Sequence, residues 1–147
     1  TSEMGQAYIV QSFMTVVVGG VGNIWGTLLG ATMIATCEAF LLAQKQGLDP
    51  QKFYDISSVS SGQSWSMTSY CPLPGVGPES PADHDYAGGF ASALMLKDLR
   101  LAMAAAEASG TDTPMGKRAA EMYEAFSKGA DSGLDFSAII RSLTKTE

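Results

Sequence analysis

The sequence predicts an all-α fold for everything after residue 30, and three observations carry that prediction. Helix start and stop signals recur along the chain, apolar residues between them recur at helical spacing, and no alternating apolar stretch finds a partner strand. With 147 residues, 46% of them hydrophobic and 16% charged, the chain has enough apolar side chains to offset its ordering entropy and bury one core.

Residues 31–46, ATMIATCEAFLLAQKQ, are rich in helix formers. Met33, Cys37, Phe40 and Leu41 fall on one face of that helix, and Gly47 supplies the stop. Asp49 is a natural N-cap and Pro50 a natural first residue for the next helix, expected to bury Phe53 and Ile56 and to fade over Ser57–Gly62. From about Met67 to Gly89, Pro72, Pro74, Pro78 and Pro81 with Gly75 and Gly77 exclude regular helix and predict an irregular segment crossing the surface. Long ordered loops of this kind often serve function. A long helix is expected from Phe90 to Ser109, with Leu94, Leu101 and Ala105 on one side and Gly110 as its stop. Thr113–Pro114 opens another, with Met115, Ala119, Met122 and Phe126 inward and an end near Gly129. Asp135 caps a last short helix in which Phe136, Ile139, Ile140 and Leu143 share a face.

Charge is unevenly distributed. The net charge of -6 argues against nucleic acid as a partner, because acidic groups repel a phosphate backbone. No charged residue occurs from 4 to 37, which predicts a boundary near residues 30–38 and makes the run long enough to span a bilayer. A signal peptide fits less well, since the N-terminal flank carries Glu3 and no Lys or Arg, and Thr1 in place of methionine points to a processed form or a fragment.

Cys37 and Cys71 form no CxxC pattern, and the single histidine, His84, sits between Asp83 and Asp85 in a Pro/Gly-rich stretch. Neither a zinc site nor a disulfide framework can be assembled from them, and a reducing, cytoplasmic compartment fits. His84 reads as a solvated loop residue, so no metal site is expected.

The stretch from Thr15 to Gly26, TVVVGGVGNIWG, looks like a strand followed by a glycine-rich phosphate-binding turn. A dinucleotide fold needs a second parallel strand next, and helix follows instead. Gly22, Gly26 and Gly30 also fall at i, i+4 and i+8, a small-residue stripe that lets two helices approach closely, in a membrane or in a tight soluble pair. That reading predicts a homodimer or higher oligomer held largely by residues 8–46.

LLGATMIATCEAF (28–40), GLDPQKFYDISSVSSGQSWSMTSYCPLPG (47–75), DYAGGFASALMLKDLRLA (85–102) and DFSAIIRSL (135–143) make residues 28–147 resemble the C-terminal helical domain of 3-hydroxyisobutyrate dehydrogenase. This is a β-hydroxyacid dehydrogenase related to 6-phosphogluconate dehydrogenase. Residues 5–31, GQAYIVQSFMTVVVGGVGNIWGTLLGA, instead resemble a segment of branched-chain amino-acid or urea ABC transporter permeases. LLGA at 28–31 suits both families, so the economical reading is a chimera joined there, with residues 1–30 permease-like and 31–147 the helical domain. The rival reading is a membrane or interaction segment carrying a passenger helical domain.

The dehydrogenase resemblance implies the 6-phosphogluconate dehydrogenase C-terminal-like fold, hydride transfer between NAD and a small β-hydroxy acid, and an N-terminal Rossmann domain for the cofactor, absent from these residues and expected to be supplied elsewhere. It also implies a KxxNN motif whose lysine is the general acid/base. Counted back from LLGA, that lysine position is Gly22 and the asparagine positions are Trp25 and Gly26. None of these side chains can shuttle the proton, so no catalytic residue is assigned and no turnover is expected from the chain by itself. The resemblance further implies that Lys97 of the KDL motif reaches the cofactor and that Phe90 and Asp98 line the nicotinamide and substrate end. Trp65 and the Ser61–Gly62 turn are further candidates for the pocket wall.

Overall fold

The computed structural model describes residues 23–144. The strand-like stretch, Gly22 and most of the permease-like segment lie outside the described residues. Among the described residues six α-helices run in the order α1 (Asn23–Lys45), α2 (Pro50–Ser57), α3 (Trp65–Thr68), α4 (Ser92–Ser109), α5 (Pro114–Ser127) and α6 (Ile140–Thr144). Short 3₁₀ turns lie at Pro81–His84 and Phe136–Ile139, and no strand occurs among the described residues. The fold is the helical type expected.

Local chemistry places most of the helix ends. The Lys52 N–H donates to the Asp49 carboxylate at 3.0 Å, with Pro50 opening α2. At the end of α1 the Leu48 N–H reaches the Ala43 carbonyl and the Gly47 N–H that of Gln44, closing the helix through a left-handed glycine with φ +83°. Gly110 ends α4 in the same conformation. Pro114 opens α5, while the Thr113 hydroxyl turns to the Met103 sulfur rather than capping.

Helix α1 begins at Asn23, earlier than the expected residue 31, and runs without a break through residues 28–31. By length and composition its Ile24–Lys45 portion could cross a membrane. Here it forms the central element of a three-helix packing with α4 and α5, and Met33, Cys37 and Phe40 have no exposed surface. Burying each such side chain contributes about 1.5–3 kcal/mol. The main core joins Met33, Cys37, Leu99, Ala119, Tyr123 and Ile139, and a smaller cluster gathers Phe40, Met67, Cys71 and Val76. Phe53 packs edge-on to Phe40 at 5.0 Å between ring centroids.

Several faces differ from expectation. Ile56 is exposed, and α2 turns the half-buried Phe53 and Tyr54 inward instead. Helix α4 buries Met95, Leu96, Leu99 and Ala102, whereas Leu94, Leu101 and Ala105 are exposed. This helix is apolar on two sides, so periodicity cannot tell which one meets the core. On α5 Met115 is exposed, and Gly116, Ala119, Tyr123 and Phe126 form the inner face.

The glycine stripe also has a different use. Gly26 and Gly30 are buried, and a Cβ on Gly26 would stand 2.9 Å from the backbone carbon and oxygen of Asp98. A Cβ on Gly30 would meet the Leu99 methyls at 3.2 Å. These two glycines therefore serve the close approach of α1 to α4 within one chain.

The proline-rich segment is more than a surface crossing. Cys71 and Pro72 are fully buried, the Tyr86 hydroxyl donates to the Pro72 carbonyl at 2.7 Å, and the Ser80 hydroxyl to that of Cys71 at 2.8 Å. The Asp83 carboxylate accepts the Ser80 and Gly75 N–H groups at 2.9 and 2.6 Å. These bonds hold its carboxyl below the usual range, the Gly75 bond first. Proline removes repetitive structure here, and side chains supply the missing partners.

Candidate functional site

Helix α1 and the start of α3 enclose an open cleft of about 540 Å³. Trp25, Leu28, Leu29 and Thr32 form one wall, and Trp65 with Ser64 and Ser66 forms the other. The cleft is thus mostly apolar with a few hydroxyls, the composition that suits a small organic ligand. Trp65 is half exposed and stacks on Tyr70 with centroids 4.8 Å apart and planes 21° apart. Ser61 and Gly62 are exposed in the preceding turn, outside the residues that line the cleft.

Phe90 reaches the same wall from behind. Its ring meets Phe136 edge-on at 6.0 Å, and Phe136 lies 5.4 Å from Tyr70, so Trp65, Tyr70, Phe136 and Phe90 form a continuous aromatic row. The chain arrives at Phe90 through left-handed residues, among them Asp85, Tyr86 and Gly89.

Successive helical residues are about 100° apart, so Leu94, Lys97, Asp98, Leu101 and Ala105 share an arc of about 100° on α4. Leu94, Lys97, Leu101 and Ala105 are exposed on this face, and Asp98 lies at its edge next to α1. Lys97 is exposed and makes no ion pair among the described residues. Asp98 is half-buried against α1 at Gly26, and burial raises its carboxyl above the usual range while Lys97 opposes the shift. Position 26 therefore adjoins Asp98, and position 25 lines the cleft.

Asp135 and Tyr70 were missed as site residues in the sequence. Asp135 is fully buried and accepts four hydrogen bonds: Tyr70 Oη and the Phe90 N–H on Oδ1, both at 2.7 Å, and the Ser137 N–H and Oγ on Oδ2, at 2.9 and 2.5 Å. Burial and then the bond to Asp135 push the Tyr70 hydroxyl well above its ordinary pKa. The sequence carries the capping half of this arrangement, since Asp135 precedes the Phe136–Ile139 turn, but nothing local marks the other half. His84 is exposed beside Glu79 at 2.8 Å, and no group of three metal-ligating side chains occurs among the described residues.

A family model described as the NAD-binding domain of NADP-dependent 3-hydroxyisobutyrate dehydrogenase matches residues 24–143. A probable 3-hydroxyisobutyrate dehydrogenase of Mycobacterium tuberculosis is 45% identical over 117 residues, which is 79% of this chain and 39% of that protein. An NAD-dependent L-serine dehydrogenase of Pseudomonas aeruginosa is 41% identical over 120 residues, 82% of this chain and 40% of the relative. Among solved structures, the Mycobacterium tuberculosis 3-hydroxyisobutyrate dehydrogenase with L-serine superposes with a TM-score of 0.80 at 41% identity, over 84% of this chain and 42% of that one. The chain spans about two fifths of the length of these relatives.

Proposed function

The chain belongs to the NAD-binding domain family of 3-hydroxyisobutyrate dehydrogenases, and from that premise we propose that it supplies the helical half of a site for hydride transfer between NAD and a small β-hydroxy acid. One observation carries the reading. Lys97 is exposed on α4 with Asp98 beside it at the edge of the α1 contact, and Phe90 just ahead of this helix joins the aromatic row that backs the cleft. A nicotinamide dinucleotide fits these groups chemically. The exposed Lys97 ammonium suits a ribose or phosphate oxygen, the Phe90 and Trp65 rings exclude water, and the Asp98 carboxyl suits a ligand hydroxyl. NAD, when bound, supplies the hydride acceptor; the residues here bind, orient and desolvate. The names of the relatives support 3-hydroxyisobutyrate or L-serine as the class of substrate.

At the positions the resemblance marks, no side chain can take the general acid/base role. Gly22 stands where the resemblance puts the lysine, and Trp25 and Gly26 stand at the asparagine positions, so these residues do not turn over by themselves and act as one half of a site whose other half is a nucleotide-binding domain. The same departure is the support for a permease-derived residues 1–30 joined at 28–31, a junction that reading the flanking genomic DNA would test. Assembly into a homo-oligomer held largely by residues 8–46 goes with this reading and leaves the Lys97 face of α4 open to the cofactor. Two buried free thiols suit a reducing, cytoplasmic setting.

The test is a titration of NADH, followed by tryptophan quenching, with the nucleotide-binding domain of the Mycobacterium tuberculosis relative added in trans. Quenching that Lys97→Ala and Phe90→Ala each weaken is the expected result, with no NAD reduction by the chain alone. Quenching indifferent to both substitutions would overturn the site, and turnover by the isolated chain would overturn the inactivity.

A further inference from the structure

We propose that Asp135 is a positioning residue, whose carboxylate holds the Phe90 backbone and the Tyr70–Trp65 stack in one fixed relation behind the cleft. The proposal rests on the reading above that Phe90 and Trp65 wall the nicotinamide and substrate end.

The division of labour between the two carboxylate oxygens carries it. A capping role needs only one acceptor, and Oδ2 fills it by taking the N–H and Oγ of Ser137. Oδ1 is left for two donors far away in the chain, the Phe90 N–H and Tyr70 Oη. Each of them belongs to a different wall element: Phe90 leads into α4, and Tyr70 carries the stacked Trp65. A buried carboxylate that makes no ion pair among the described residues is held by these four donors, two on each oxygen, so the Oδ1 pair answers to each other more than to the cap on Oδ2.

A second, independent feature agrees. Gly89 has φ +65°, and a Cβ there would overlap Asp135 Oδ1 and stand 2.6 Å from Tyr70 Oη. The backbone beside Phe90 is thus pressed directly onto the carboxylate. The Phe136 N–H donates to the Phe90 carbonyl at 2.7 Å and the Asp135 N–H to that of Tyr86 at 2.8 Å, which fixes both ends of the segment to the same strut. An amide cannot replace the carboxylate. Its oxygen can serve Phe90 and Tyr70 only if its NH₂ faces the Ser137 N–H, and the flipped amide loses the Phe90 bond.

The experiment uses the full chain carrying Trp25→Phe, so that Trp65 is the sole tryptophan, and compares Asp135→Asn, Tyr70→Phe and Ser137→Ala. Three readouts are taken on each: the urea midpoint, acrylamide quenching of Trp65, and hydrogen exchange of the Phe90 amide. Positioning predicts that Tyr70→Phe and Asp135→Asn increase Trp65 quenching. Asp135→Asn also speeds Phe90 exchange by roughly tenfold relative to the α1 core amides, as expected for a lost bond to a charged acceptor. Ser137→Ala lowers the midpoint and leaves both local readouts in place. If the three variants change the local readouts only in proportion to their midpoints, Asp135 is a structural cap and the proposal is overturned. Tyr70→Phe keeps the test decisive should Asp135→Asn fail to fold, since it removes a single hydroxyl from a half-buried ring; an unmoved Trp65 then refutes the coupling. These local readouts need no nucleotide, so failure of the Phe90→Ala titration would reject the site while leaving the strut to be judged separately.

Discussion

Replacing Gly26 by alanine tests the geometry that brings α1 and α4 together. The added Cβ would lie 2.9 Å from the backbone carbon and oxygen of Asp98 and 3.1 Å from its Cβ. Ordinary contact begins near 3.4 Å, and backbone atoms cannot rotate aside, so the two helices must part by about half an ångström over their length. Overpacking of this kind costs about 1–3 kcal/mol. Alanine also regains up to about 1 kcal/mol of helix propensity, which masks part of the loss in a single measurement. Gly30→Ala is the control: it has a comparable propensity gain but meets only the Leu99 methyls, which are side-chain atoms able to shift. The difference between the two variants isolates the steric cost. Urea unfolding with an unchanged m-value should place Gly26→Ala about 1–3 kcal/mol below Gly30→Ala. Equal stabilities would refute the close approach. Sedimentation velocity on Gly26→Leu addresses the expected oligomer separately: a changed assembly at unchanged stability would return the glycine stripe to an interface between chains.

Asp98 has a carboxyl raised by burial, so the folded chain binds more protons than the unfolded one between the ordinary aspartate value and the raised one. Stability therefore falls as pH rises through that window, and Asp98→Asn should flatten the fall and stabilise the chain at neutral pH, read by urea midpoints across pH 3–7. Asp83 has the opposite sign, since bonds from the Gly75 and Ser80 N–H groups lower its carboxyl. Its contribution is present above the unfolded value and lost as acid reaches the folded one, so Asp83→Ala should remove that acid-side loss. Tyr123 is fully buried and donates to the Phe136 carbonyl at 2.9 Å; Tyr123→Phe should cost about 1–3 kcal/mol by leaving that carbonyl without its donor. Burial pushes the Cys37 thiol well above its ordinary pKa, so a disulfide reagent should modify it only as fast as the chain opens, and prompt labelling in native buffer would contradict the packing.

Helix ends were legible in the sequence wherever the chemistry spans a few residues. Asp49 with Pro50, Gly47, Gly110, Pro114 and the cap at Asp135 each act within about one turn, and each acts where expected. The resemblance to the dehydrogenase helical domain was legible for the same reason: it is written in contiguous stretches. Face assignments were less so. Leu94 and Leu101 keep helical spacing as faithfully as Met95 and Leu99 do, and both sets are apolar.

What the sequence by itself determined, then, is the helical type of the fold and the places where most of its longer helices start and stop, the absence of a proton carrier at positions 22, 25 and 26, and the candidate residues Phe90, Lys97, Asp98 and Trp65. Only the tertiary structure decided which side of α4 meets the core, because that choice is made by Gly26 and Gly30 on another helix, where a missing side chain lets the backbones touch. It decided the second role of Asp135 as well. One carboxylate oxygen answers to its own turn, and the other to Phe90 and Tyr70, 45 and 65 residues away. Hydrogen bonding depends on distance in space, and no spacing along the chain encodes that distance until the helices have packed.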